Sequence, residues 1–208
     1  GEHTDMSTTS AATPLTGNYT LDPTHRRIGF SARHAMVTKV RGSFNEFEGS
    51  GYFDVENPAN SKLRLTIQAA SIDTRNADRD GHLKSNDFFD METYPEITFA
   101  STAVEQVDPE SYRVTGDLII KGVTKPVTVD FEYSGSAVDP YGNTRIGLEG
   151  KTTVNRKDWG VNWNAALEAG GVLVSEKVTL EFEVSAIRNE ASGPRPALVR
   201  PARHRRRP

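Results

Sequence analysis

Val127-Thr128-Val129-Asp130-Phe131-Glu132-Tyr133 alternates apolar and polar side chains at every step, with the apolar set on the odd positions. Successive side chains of a strand point to opposite faces, so this run has one oily face and one wet face. Val178-Thr179-Leu180-Glu181-Phe182-Glu183-Val184 repeats the pattern with the apolar set on the even positions. Leu63, Leu65 and Ile67 alternate with Arg64 and Thr66, and Ile146, Leu148 and Val154 hold one phase while Glu149 and Lys151 hold the other. A parallel strand roofed by helices would read as an unbroken apolar run, so these are antiparallel strands.

Working outward from these runs, strands are expected near residues 18–21, 26–34, 44–55, 62–70, 96–104, 111–120, 126–133, 144–154 and 172–187. The gaps carry turn chemistry, as in Asn57-Pro58-Ala59-Asn60, Asp108-Pro109-Glu110-Ser111, Lys121-Gly122-Val123-Thr124 and Asp139-Pro140-Tyr141-Gly142-Asn143, so neighbouring strands are joined mostly as hairpins. Alternation alone fits a barrel or a two-sheet sandwich. Strand length favours the barrel, as do glycines inside strands at 49, 51, 147 and 150, where a closing sheet must bend. The expected fold class is all-β, an antiparallel barrel of about eight strands, wide enough for one small ligand if its interior is not filled.

One segment breaks the rhythm. Residues 71–90 are highly polar and end in Phe88 and Phe89. Within them, 77–84 reads as a short helix capped by Asn76. A connection of this length closes a barrel end or forms a lid, so it is expected as a rim element with Leu83, Phe88 and Phe89 pointing inward.

No linker divides the strand-rich region, and the expected organisation is an N-terminal extension or expression remnant over 1–17, one barrel domain over 18–189 and a tail over 190–208. The tail holds six arginines and one acid, a charge of +5 in a chain of net charge −3, so the remainder carries −8. Its few apolar residues point to disorder, either solvated or tethered peripherally to an anionic membrane. The acidic body argues against nucleic acid as a partner. The absence of cysteine excludes disulfides, thiolate catalysis and cysteine-ligated zinc. No apolar run is long enough to span a bilayer, and residues 1–16 lack a signal-like centre. With Met6 as the native start the expected location is cytoplasmic; with a signal removed it is periplasmic or secreted.

Specific words now stand out: Leu21-Asp22-Pro23-Thr24-His25, Ile28-Gly29-Phe30-Ser31-Ala32-Arg33-His34-Ala35-Met36, Val40-Arg41-Gly42-Ser43-Phe44, Arg79-Asp80-Gly81-His82-Leu83, Asp87-Phe88-Phe89-Asp90, Tyr94-Pro95-Glu96-Ile97-Thr98-Phe99 and Asn155-Arg156-Lys157-Asp158-Trp159-Gly160. In this order, from about Tyr19 to Ile187, the chain resembles the YceI family, lipocalin-like proteins associated with polyisoprenoid binding. The resemblance implies an extended lipocalin-like barrel whose elongated apolar cavity holds a long-chain isoprenoid or related amphiphile. It leaves the ligand's identity open, and the arginine tail lies outside the family pattern.

Candidate wall residues are Phe30, Met36, Phe44, Phe47, Phe99, Phe131, Trp163 and Phe182, with core packing as the alternative role for each. His34 shares the phase of Ile28, Phe30 and Ala32 and is expected to face inward, touching a head group or pairing within the core. Candidate rim groups are His25, Arg79, Asp80, His82 and Arg156; arginine grips phosphate through parallel donors, and the alternative for Arg79 and Asp80 is to brace their own loop. Trp159 and Trp163 are expected to seal a barrel end. His25, His34 and His82 lack the spacing of a zinc motif, so no metal is expected.

No nucleophile elbow, Walker motif or dinucleotide fingerprint is present, and no catalytic residue is assigned. The expected function is non-catalytic binding, transport or storage of a long-chain lipid, with no cofactor beyond a bound isoprenoid, quinone-like or fatty-acid-type molecule. Two alternatives stand beside it: an enzyme acting on such a lipid through His34 and the rim charges, and a structural or stress protein with a filled core. A homodimer through strand edges or an exposed apolar rim is also open.

Overall fold

A computed structural model of the protein describes residues 15–35, 37–164 and 174–189. Met36, most of the N-terminal extension and the arginine tail lie outside the described residues. The described residues form ten strands: β1 (Gly17–His34), β2 (Thr38–Phe44), β3 (Phe47–Phe53), β4 (Lys62–Gln68), β5 (Ile72–Asp73), β6 (Glu96–Asp108), β7 (Ser111–Ile120), β8 (Val123–Val138), β9 (Thr144–Asn155) and β10 (Lys177–Arg188). One short helix, α1 (Ala77–Lys84), follows β5.

Every recorded pairing is antiparallel. The order β10-β9-β8-β7-β6-β4-β3-β1 closes on itself through β10 and β1, giving an eight-stranded barrel that leaves no edge in its main ring. The short β2 and β5 extend the wall at one end, β2 along the second half of β1 and β5 along β2. We call this end upper and the opposite end lower.

The alternation read from sequence becomes the inside and outside of this wall. Val127, Val129 and Phe131 are buried while Thr128, Asp130 and Glu132 are exposed. On the partner strand β7, Tyr112, Val114 and Leu118 are buried on the same inner face.

Several boundaries differ from the sequence reading: the strands expected over 96–104 and 126–133 run longer as β6 and β8, and β10 starts at Lys177 rather than at 172. Residues 18–21 and 26–34 form one strand, with a register shift between Leu21 and Arg26. Asp22-Pro23-Thr24-His25 reads as a break because of its proline and asparagine-like turn chemistry. Here the Asp22 carboxylate instead accepts from Thr24 N at 2.9 Å and Thr24 Oγ1 at 2.8 Å, stabilising a bulge within the strand. The expected strand over 44–55 is broken at Asn45 and Glu46, and β2 before it was missed because Thr38, Lys39 and Arg41 are exposed and give it little apolar signal.

Helix α1 begins where its cap predicts. Asn76 accepts from Arg79 N at 3.0 Å, and Asp78 and Asp80 lie in the first turn, where the helix dipole favours acids.

Candidate functional site

The barrel interior is hollow. An upper chamber of about 1210 Å³, counted out to its opening, is walled by Ile28, Phe30 and Ala32 of β1, Phe99 of β6, Leu118 of β7 and Val178, Leu180 and Phe182 of β10. Leu83 of α1 and the following Phe88 and Phe89 cover one side of it, together with Trp159, Val161 and Val174. A lower chamber of about 850 Å³, counted the same way, is walled by Tyr19, Leu21, Phe53, Tyr112, Val114, Ile146, Leu148, Val184 and Ala186.

Leu63, Leu65, Phe131 and Phe182 line both chambers, which therefore meet at a waist. The rings of Phe131 and Phe182 stand 5.8 Å apart, tilted by 49°. Both residues are cross-strand partners of Gly150, one from each side. In the closed strand order β4, which carries the two leucines, lies opposite β9 across the bore.

Polar groups are sparse on this inner surface. No histidine, aspartate or glutamate is among the described residues that line either chamber. Arg156 is the one charged residue among the described residues that line the upper chamber. It is buried, and burial pushes its guanidinium below the usual arginine value. Nε donates to Ser175 O at 2.8 Å, one terminal nitrogen to Val161 O at 2.7 Å and the other to Val174 O at 3.2 Å. With five N–H groups on a guanidinium, these bonds hold the two chain segments on either side of residues 165–173 and leave two N–H groups beyond them. A short 3-10 turn, Arg156–Trp159, presents both Arg156 and Trp159 to the chamber. It ends at Gly160 with φ of 78°, a left-handed conformation natural to glycine. Trp159 is buried and donates from Nε1 to Leu118 O at 2.8 Å.

At the lower end, Tyr19 donates from its hydroxyl to Leu15 O at 2.7 Å, and Tyr112 packs edge-on to Phe53 with ring centroids 5.5 Å apart. Burial raises the pKa of both phenols, so they stay neutral donors.

The structure brings together Phe30, Phe44, Phe99, Phe131, Phe182 and Arg156 around the hollow. Others lie elsewhere. Phe47 is buried but lines neither chamber, and Arg26 sits over its ring at 4.2 Å. Trp163 lines neither chamber either; it packs on His82 at 4.7 Å and on Phe88 at 5.4 Å, outside the ring that Phe88 presents to the lumen. Met36 falls outside the described residues.

His34 corrects the sequence reading most clearly: it is exposed and lines neither chamber. Its phase along β1 is inward, but it is the last residue of that strand, and the side wall at this height is only the short pairing with Thr38 and a bridge to Val174. The periodicity carried no information about where the wall ends.

The rim charges are already engaged. Arg79 donates to Thr74 Oγ1 at 2.7 Å and to Thr74 O at 2.8 Å, while Asp80 accepts from Thr74 N at 2.9 Å and Thr74 Oγ1 at 2.5 Å. They do not pair with each other; both brace the buried Thr74. His82 meets Asp87 at 2.8 Å. His25 is exposed on the outer wall, where its Nδ1 lies 3.0 Å from Asp22.

Asp22 is the buried centre of that outer cluster, bridged by Arg145, whose Nε also donates to Asp139 at 2.8 Å. Burial opposes its ionisation, but hydrogen bonds from Thr24, His25 and Arg145 outweigh it and hold the carboxyl well below the usual range.

Sequence reasoning missed Tyr19, Leu21, Tyr112, Ile146 and Leu148 as lumen residues. Their inward phase is legible in the alternation, but the lower chamber is walled by tyrosines and aliphatic side chains as well as by phenylalanine.

The protein is thus a closed eight-stranded antiparallel barrel with two adjoining apolar chambers inside it. A YceI-like domain matches residues 19–186. The chain belongs to the YceI-like family. The UPF0312 protein plu2095 of Photorhabdus laumondii is 43% identical over 152 residues, which cover 72% of this chain and 79% of that relative. The crystal structure of the Campylobacter jejuni YceI protein is 30% identical, covers 91% of this chain and 99% of its own, and superposes with a TM-score of 0.66. A polyisoprenoid binding domain from Saccharophagus degradans, 16% identical over 82% of this chain and 98% of its own, superposes with a TM-score of 0.61. That last likeness is one of fold.

Proposed function

We propose that the protein binds a polyisoprenoid or similar long-chain amphiphile in its bore and carries or stores it without chemical change. The observation that supports this is a pair of apolar chambers inside the barrel that adjoin at Leu63, Leu65, Phe131 and Phe182. Each CH₂-sized unit taken out of water contributes about 0.8 kcal/mol, so a slender tail filling the bore needs no strong polar contact. The family and the polyisoprenoid binding neighbour point the same way.

Arg156 supplies the polar pole. It lines an otherwise apolar upper chamber, and its buried guanidinium rests only on carbonyls among its recorded hydrogen bonds. A ligand oxygen, above all an anionic one, would complete its donors. The head group then lies under Trp159 and the tail runs towards Tyr19.

Titrating lipid-free protein with solanesol delivered from cyclodextrin tests the reading. Binding to the native state raises the thermal midpoint in proportion to ligand excess. A midpoint unmoved by solanesol and by polyprenyl phosphate, in protein shown to be folded and lipid-free, would refute it.

A further inference from the structure

Resting on that reading, we infer that Phe131 and Phe182 form a waist that sorts ligands by chain length. One inward-facing row of the wall runs Tyr112, Phe131, Gly150, Phe182, Ile28, Phe44 through successive cross-strand pairs. Five of these carry large side chains, and the sixth is bare. A Cβ on Gly150 would lie 2.6 Å from both Cδ1 and Cε1 of Phe131 and 3.1 Å from Val129 Cγ1. Phe131 therefore lies over the glycine backbone, and the missing side chain gives its ring the room to approach that of Phe182. Leu63 and Leu65 stand across the bore and complete the constriction.

Along β10 the upper chamber runs from Phe182 to Val178 and the lower from Phe182 to Ala186, each ~13 Å of strand at ~3.3 Å per residue. A tail that ends within one chamber leaves the ring pair closed. A tail longer than one chamber must part the rings, and its affinity is reduced by the fraction of time the waist stands open. Phe182 is the mobile partner: it is less buried than Phe131, whose ring is pinned between Gly150 and Val129. Length selection thus resides in two side chains and one absent one, apart from the polar pole at Arg156.

The test compares farnesol and solanesol, supplied from cyclodextrin to lipid-free protein, by native mass spectrometry in wild type, Phe182→Leu and Gly150→Ala. Phe182→Leu keeps an apolar core residue while opening the waist, and the solanesol-to-farnesol affinity ratio rises about tenfold. Gly150→Ala pushes the Phe131 ring into the bore, and the ratio falls by about the same factor with farnesol binding kept. A ratio that is the same in all three proteins overturns the waist while leaving lipid binding intact, as does an equal loss of both alcohols in the variants. Wild-type protein that takes up neither alcohol overturns the carrier reading itself, and the waist with it.

Discussion

Phe131 and Phe182 reach towards each other from β8 and β10 across the bare backbone of Gly150 on β9, with ring centroids 5.8 Å apart. Neither residue is the direct neighbour of the other in the sheet, so the contact exists only because the residue between them has no side chain. Stability and access are divided between the two rings. Phe131 is 5% exposed and packs into the wall, so Phe131→Ala is expected to lower the stability of lipid-free protein by about 3–5 kcal/mol. Phe182→Ala costs less, because that ring is only partly buried. Urea unfolding midpoints of the two variants check the ranking.

Asp22 ties β1 to β9 at the bulge through Arg145. Asp22→Asn removes the buried carboxylate's charge-assisted hydrogen bonds while Arg145 keeps Asp139, so it is expected to lower stability by about 1–3 kcal/mol. The folded-state pKa of Asp22 is depressed, so the unfolded chain binds its proton first as pH falls. The contribution of this carboxylate is complete above about pH 4, its unfolded value, and is lost progressively below it. Asp22→Asn should therefore unfold with a shallower acid dependence below that pH than wild type, measured by urea titrations at stepped pH.

Thr74 is the buried pivot of the rim loop, receiving Arg79 and donating to Asp80. Thr74→Val keeps the shape but leaves both charged partners short of a hydrogen bond, a cost of about 1–3 kcal/mol. Amide exchange should accelerate first over α1 rather than over β7 and β8, because the loss is local to the loop.

Arg156→Met removes the buried charge that borders the upper chamber. A charge-assisted hydrogen bond contributes about 1.5–3 kcal/mol, so wild type should prefer polyprenyl phosphate to the matching alcohol by roughly tenfold or more, and the variant should lose that preference while still binding the alcohol. Competition between the two ligands at one protein concentration gives the ratio directly, independent of any fall in overall stability.

Much of this was legible before the structure because a closed wall uses one repeating rule. Val127, Val129, Phe131 and Leu180, Phe182, Val184 were placed inside by period alone, and Asn76 announced α1. What the period could not supply was depth along the barrel. His34 is in phase but lies beyond the wall, and Phe47 is buried under Arg26 rather than turned to the lumen. Arg79 and Asp80 brace their own loop, one of the two roles open to them in the sequence, but the partner that binds both, Thr74, is supplied by the fold. Gly150 was legible as a site of bending, but its role as the floor beneath two rings depends on register between three strands, which no single strand encodes.

The most direct measurement is organic-solvent extraction of the purified, natively folded protein, followed by mass spectrometry of the extract against a matched blank. A carrier with this bore yields a long-chain amphiphile in near-stoichiometric amount, and lipid-free protein takes the same molecule back. An extract free of such a molecule, from protein that also refuses polyprenols and polyprenyl phosphates offered to it, would contradict lipid binding in the barrel.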